Sequence, residues 1–175
     1  MSQAAESRAC SCPGLHRIPV SHLAKAALLA AVVAAPFSSV AAFADAPDKE
    51  VVFKHPFDGA PIDVQLKPGE VETPALKQFK TDGTNPYRGD TAALAEGKTL
   101  YNQHCQVCHN PDGSGNMGPP LIGKDFIYPQ SASDVGMFAI IYAGASGAMQ
   151  AFSKRGMTQD EMLKIIAHVR SLAKR

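Results

Sequence analysis

A chain of 175 residues with a formal net charge of +1 has room for one modest domain plus accessory segments, and carries no basic excess of the kind that binds nucleic acid. Tryptophan is absent while glycine (14) and proline (13) are plentiful, which argues against an extensive sheet core and for a small, loop-rich domain. Such domains gain stability from a bound metal or cofactor that supplies core the chain lacks.

Residues 1–44 have the layout of a secretory signal peptide. Arg8, Arg17 and Lys25 lead into the apolar run "AALLAAVVAA" (Ala26 to Ala35), and "AFA" (Ala42 to Ala44) offers a small-residue cleavage site just before Asp45, with "VAA" as a neighbouring alternative. An uncleaved membrane anchor is the competing reading. The run is well short of the ~20 apolar residues a span needs, and Pro36, Ser38 and Ser39 interrupt any extension of it. Cleavage near Ala44 predicts export to the periplasm without stable membrane insertion. It also removes Arg8, Arg17, Lys25 and Glu6, so that 17 basic and 16 acidic side chains become 14 and 15, a net charge of −1. Cys10 and Cys12 leave with the signal, and only Cys105 and Cys108 remain.

Residues 45–90 read as an N-terminal extension. "VVFKHPFDGAPIDVQL" places two short extended runs about the turn-prone Asp58-Gly59, the pattern of a hairpin. "TPALKQFK" predicts a short helix with Thr73 as N-cap and Pro74 at its first position, and "TDGTNPYRGD" is a linker. From Thr91, Leu94, Gly97, Tyr101, Cys105 and Cys108 follow helical spacing, so the cysteine pair falls at the end of an amphipathic helix. "NPDGSGNMGPPLIG" is an irregular loop. A further helix is expected from about Ser133 to Gly144, and "GASGAMQAF" is a second flexible loop. In the last helix Thr158 and Glu161 form a capping box, and Met162, Ile165, Ile166, Val169 and Leu172 share one face.

Cys105, Cys108 and His109 stand as "CQVCH". A redox dithiol needs a strand before the Cys-x-x-Cys helix, and none is legible. A structural zinc site needs four ligands, and no second cysteine pair survives export. A plain disulfide across two residues closes too small a loop to constrain the unfolded chain much. Covalent haem accounts for every part of the motif: two thiols reach two vinyl groups of one porphyrin, and the next residue, His109, lies under the iron. Export agrees, because c-type haem is attached outside the cytoplasm.

The iron's second axial position decides the chemistry. Met137 and Met162 fall on apolar helix faces, Met117 is too near His109 in sequence to cross the haem, and Met157 is a reserve ligand beside the last N-cap. Met149, in a glycine-rich loop far from the cysteine pair, is the favoured distal ligand, with a vacant site or another ligand as the alternatives. Pro119 is read as the carbonyl that orients the free ring nitrogen of His109. Gly97, Tyr101 and His168 are expected where the first haem-domain helix crosses the last, and Lys154 and Arg155 on the surface.

Together "CQVCH", "GPPL", the methionine loop and the terminal helix resemble a class I cytochrome c over Thr91 to Arg175. The stretch "YPQSASDVGMFAIIYAGASGAMQAF" is similar to the cytochrome cL family, periplasmic electron acceptors of methanol dehydrogenases that use pyrroloquinoline quinone (PQQ) with calcium or a lanthanide. The resemblance implies an all-α, class I cytochrome c-like domain (91–175) wrapped around one covalent haem c. It implies Cys105 and Cys108 as thioether anchors, His109 as proximal ligand and Met149 as distal ligand. It further implies an electron carrier rather than an enzyme, with a PQQ-dependent methanol or alcohol dehydrogenase as donor and another c-type cytochrome as acceptor. Two positions depart from the common pattern: Gln150 follows Met149 where proline is frequent, and His168 stands where an aromatic residue is frequent. The extension is expected to act as a partner-specific clamp that can be deleted without touching the haem. Other classes stay open, namely a generic periplasmic cytochrome or a subunit of a respiratory complex, and a haem enzyme or gas sensor with an open distal site.

Overall fold

The structure is a computed structural model and describes residues 50–173; the expected signal peptide lies outside the described residues. The described chain is helical, with no strand among its elements. Helix α1 spans Pro74–Asp82, α2 Thr91–His104, α3 Gln106–His109, α4 Asp134–Ala143 and α5 Gln159–Leu172, with 3₁₀ turns at Pro129–Ala132 and Phe152–Arg155.

Each longer helix starts where a short polar side chain can satisfy its free N–H groups. The Thr73 hydroxyl accepts from Leu76 N at 3.1 Å, with Pro74 just behind it where no N–H is needed. Asp90 accepts from Ala93 N at 2.8 Å, and Ser133 from Gly136 N at 3.0 Å. At α5 the capping box is complete: Glu161 N donates to the Thr158 hydroxyl and Thr158 N donates to Glu161 Oε2.

The α5 stripe predicted from spacing is the centre of the core, with Met162, Ile165, Ile166 and Val169 all buried. Helix α2 crosses it at Gly97, where an added Cβ would lie 2.1 Å from the Lys164 carbonyl oxygen. No side chain fits there, so glycine is what lets the two backbones touch. One turn further, the buried rings of Tyr101 and His168 pack with centroids 5.4 Å apart, as the sequence suggested.

The extension belongs to this same core. Phe53, Phe79 and the α4 residue Phe138 form a mutual aromatic cluster with centroid separations of 5.1 to 5.8 Å. Burying each such ring contributes roughly 1.5–3 kcal/mol. Polar ties reinforce it: Asn85 Nδ2 donates to the Leu163 carbonyl at 2.8 Å, and Thr73 and Tyr87 hydroxyls both donate to Asp160 Oδ1 at 2.6 Å. The expected hairpin shrinks to one antiparallel bridge, Lys54 to Pro61, with His55 N donating to Ala60 O and Ile62 N to Phe53 O. Pro56 and Pro61 lack the N–H groups that a longer ladder would use.

Candidate haem site

Helix α2 stops at Cys105, whose backbone leaves helical geometry (φ −120°) while its N–H still donates to the Tyr101 carbonyl at 2.8 Å. The single turn α3 follows, with Cys108 N and His109 N both donating to the Cys105 carbonyl at 3.1 and 3.0 Å. That turn places Cys105, Cys108 and His109 on the wall of one cavity of about 420 Å³. The remaining wall comes from residues 117–131, from α4 and α5, and from the loop that carries Met149. It is mostly apolar, and its volume is in the range of cofactor pockets (~300–1,000 Å³).

The His109 ring is buried, and its Nδ1 lies 2.8 Å from the Pro119 carbonyl oxygen. A carbonyl only accepts, so Nδ1 carries the proton and Nε2 keeps the lone pair that can bind a metal. Gly118 lies flat against the same ring: a Cβ there would stand 2.7 Å from Cε1 and 2.9 Å from Nδ1. The glycine-rich loop is folded back onto the motif, with Asn116 N and Gly118 N donating to the Cys108 carbonyl at 3.1 and 2.9 Å.

Asn110, directly after the histidine, holds φ 61° and ψ 156°, a region that non-glycine residues adopt at a cost of ~1–3 kcal/mol. Three bonds hold it there. The buried Tyr101 hydroxyl donates to the Asn110 carbonyl at 2.7 Å, and Asn110 Nδ2 donates to Gly115 O at 2.7 Å and Ser114 Oγ at 3.1 Å.

Burial, with Cys108 close by, pushes the Cys105 thiol up to about 12. That is the opposite of the depressed thiol in a redox Cys-x-x-Cys pair. Among the described residues no three His, Cys, Asp or Glu side chains converge as a metal cage. The donor set and apolar walls suit a porphyrin tethered through sulfur, with a nitrogen ligand fixed in orientation.

The methionines divide between core and cavity, and Met157, read from the sequence as a reserve ligand, falls on the core side while Met137 reaches the cavity wall. Met157 and Met162 are buried in the core and do not line the cavity. Met137, on α4, is buried and contributes to the cavity wall, and Met117 sits exposed at its rim. Met149 lines the cavity from the loop after α4 and is half-buried.

Three features escaped the sequence reading. Arg170, in the last turn of α5, donates through Nε to the buried Asp134 at 2.9 Å and through Nη2 to Ser131 O at 2.7 Å. Arg88, from the extension, reaches the same carboxylate through Nε at 2.7 Å and Nη2 at 2.5 Å. The third feature, a Tyr128–Ser146 pair at the cavity rim, joins residues with no shared sequence pattern.

The stretch 92–169 matches a family described as cytochrome c oxidase, cbb3-type, subunit III. Cytochrome c-L of Methylorubrum extorquens AM1 is 39% identical over 127 residues, which covers 72% of this chain and 64% of that relative's own length. The solved cytochrome CL of Methylophaga aminisulfidivorans MPT superposes with a TM-score of 0.66 at 34% identity, covering 70% of this chain and 81% of that one. Cytochrome cL of Hyphomicrobium denitrificans gives a TM-score of 0.64 at 35% identity, covering 69% and 73%. Fold and site define a class I c-type cytochrome, a class that holds haem c covalently. Within that class the chain belongs to the cytochrome cL family.

Proposed function

We propose that Cys105 and Cys108 anchor the haem, with His109 as proximal and Met149 as distal iron ligand. In this reading the protein carries single electrons from a PQQ-dependent methanol or alcohol dehydrogenase to another c-type cytochrome in the periplasm. The supporting observation is one apolar cavity that gathers both thiols, an oriented imidazole and a loop methionine. When bound, haem supplies one-electron chemistry at its iron.

The chain's own residues have distinct tasks. Pro119 fixes the His109 tautomer, Gly118 sets the ring's position, and the apolar walls from α4 and α5 exclude water. The donor assignment rests on likeness to cytochromes cL, and export rests on the sequence of residues 1–44. No helix among the described residues is long and apolar enough to cross a membrane. The partner-clamp role of the extension is kept for its exposed turn at Phe57, because Phe53, Leu76 and Phe79 are core and cannot be removed with it.

A second reading, a cytochrome subunit of a respiratory oxidase, draws on the match over 92–169. The likeness to cytochrome c-L runs over 127 residues and favours the first. Stopped-flow mixing of the ferric haem protein with methanol-reduced PQQ dehydrogenases separates them. Rapid one-electron reduction supports the carrier reading. Failure with every such donor sinks the donor assignment.

A further inference from the structure

The loop that carries Met149 is tied to the cavity rim by one phenol. The Tyr128 hydroxyl pairs with Ser146 Oγ at 2.7 Å and accepts from Ser146 N at 3.2 Å. Tyr128 itself lines the cavity, as do Ser146 and Met149. Inside the loop, Ala145 N donates to the Met149 carbonyl at 2.9 Å, so the residue next to Ser146 is bonded directly to the methionine's backbone. Gly147 and Ala148, between the two, are exposed. Where Ser146 is held therefore decides where Met149 stands.

The tyrosine ring has its own support. It meets Phe57, in the turn of the extension, edge-on with centroids 6.2 Å apart and planes at 77°. Next to it, Gln130 Nε2 donates to the Pro56 carbonyl at 3.2 Å. The extension thus backs the segment that tethers the distal loop.

We propose that Tyr128 is the positioning residue of the distal ligand, clamping Ser146 so that the Met149 thioether is held over the cavity, with the Phe57 turn bracing the phenol ring. This rests on Met149 being the distal ligand, as argued above. A tether at the rim, half in water, is a modest lever; its loss frees the loop without unfolding the domain.

Tyr128→Phe tests it in the haem-loaded protein, because it deletes both hydrogen bonds and keeps the ring against Phe57. Two readouts are taken: the thioether-to-iron charge-transfer absorption of the ferric form, and the rate of carbon monoxide binding to the ferrous form. The expected result is a weakened charge-transfer band and about tenfold faster carbon monoxide binding, the factor that one or two lost hydrogen bonds supply, with helical circular dichroism unchanged. Ser146→Ala keeps the backbone N–H donor and should show the same changes at smaller amplitude; it carries the test if the tyrosine variant loads haem poorly. Met149→Ala is the control. If Met149→Ala abolishes the band and opens the iron while Tyr128→Phe and Ser146→Ala match the parent, the tether is wrong and the ligand assignment stands. If Met149→Ala changes neither readout, both the ligand assignment and the tether are overturned.

Discussion

The Nδ1 atom of His109 and the carbonyl oxygen of Pro119 are 2.8 Å apart, and this one contact decides which face of the imidazole is free to bind a metal. Gly118 sits between the two in the chain and lies against the ring. Gly118→Ala would press a methyl group to 2.7 Å from Cε1, which the ring can escape only by rotating away from Pro119. Overpacking of this kind costs ~1–3 kcal/mol. The expected outcome is a shifted reduction potential and altered haem absorption together with a lowered thermal midpoint, read by potentiometry and melting of the haem protein.

The crossing of α2 and α5 makes a sharper demand. A methyl group at Gly97 would stand 2.1 Å from the Lys164 carbonyl oxygen and 3.2 Å from His168 Cβ. Backbone cannot step aside as a side-chain tip can, so Gly97→Ala should cost about 3 kcal/mol or more, at the upper end of overpacking. Denaturant unfolding measures this. A melting curve like the parent's would show that the helices do not meet as closely as described.

How much of this was legible depends on whether the signal was local. Thr73, Thr158 and Glu161 announce their helices within four residues, and the α5 stripe repeats with helical period, so caps and core face were readable from spacing. The pair Cys105 and Cys108 with His109 carries its chemistry in five residues. The role of the extension was not readable. Its aromatic residues Phe53 and Phe79 meet Phe138, some sixty residues or more away in the chain, and no periodicity records such a contact. The clamp that could be deleted cleanly is replaced by a segment that closes the core. Arg170 was not readable for the same reason: its place at a helix end suits the dipole, while its actual partner, Asp134, lies on another helix.

The Asp134 carboxylate gives a pH prediction. Burial alone would raise its proton affinity, but hydrogen bonds and charge from Arg88 and Arg170 outweigh that and hold it below the usual carboxylate range. A depressed folded-state value means the carboxylate contributes stability above its unfolded pKa of about 3.9, and loses it as pH falls through the lower folded value. Stability should therefore decline below about pH 4 in part through this group. Asp134→Asn should cost about 2–3 kcal/mol at neutral pH, below the usual range for a broken buried pair because Arg88 is half exposed. The gap between variant and parent should narrow as the solution is acidified through that range. Unfolding free energies measured from pH 7 to pH 3 check both statements, and a gap that stays constant would contradict the assignment.

The central claim is that this cytochrome cL family member keeps its iron closed, with His109 on one side and Met149 on the other, and so carries electrons instead of binding small molecules. Exposing the ferrous haem protein to carbon monoxide at neutral pH tests it most directly. The account predicts an absorption spectrum that stays that of the six-coordinate ferrous form over the time in which the Met149→Ala protein binds carbon monoxide completely. Prompt, complete formation of the carbon monoxide complex in the parent protein would contradict it.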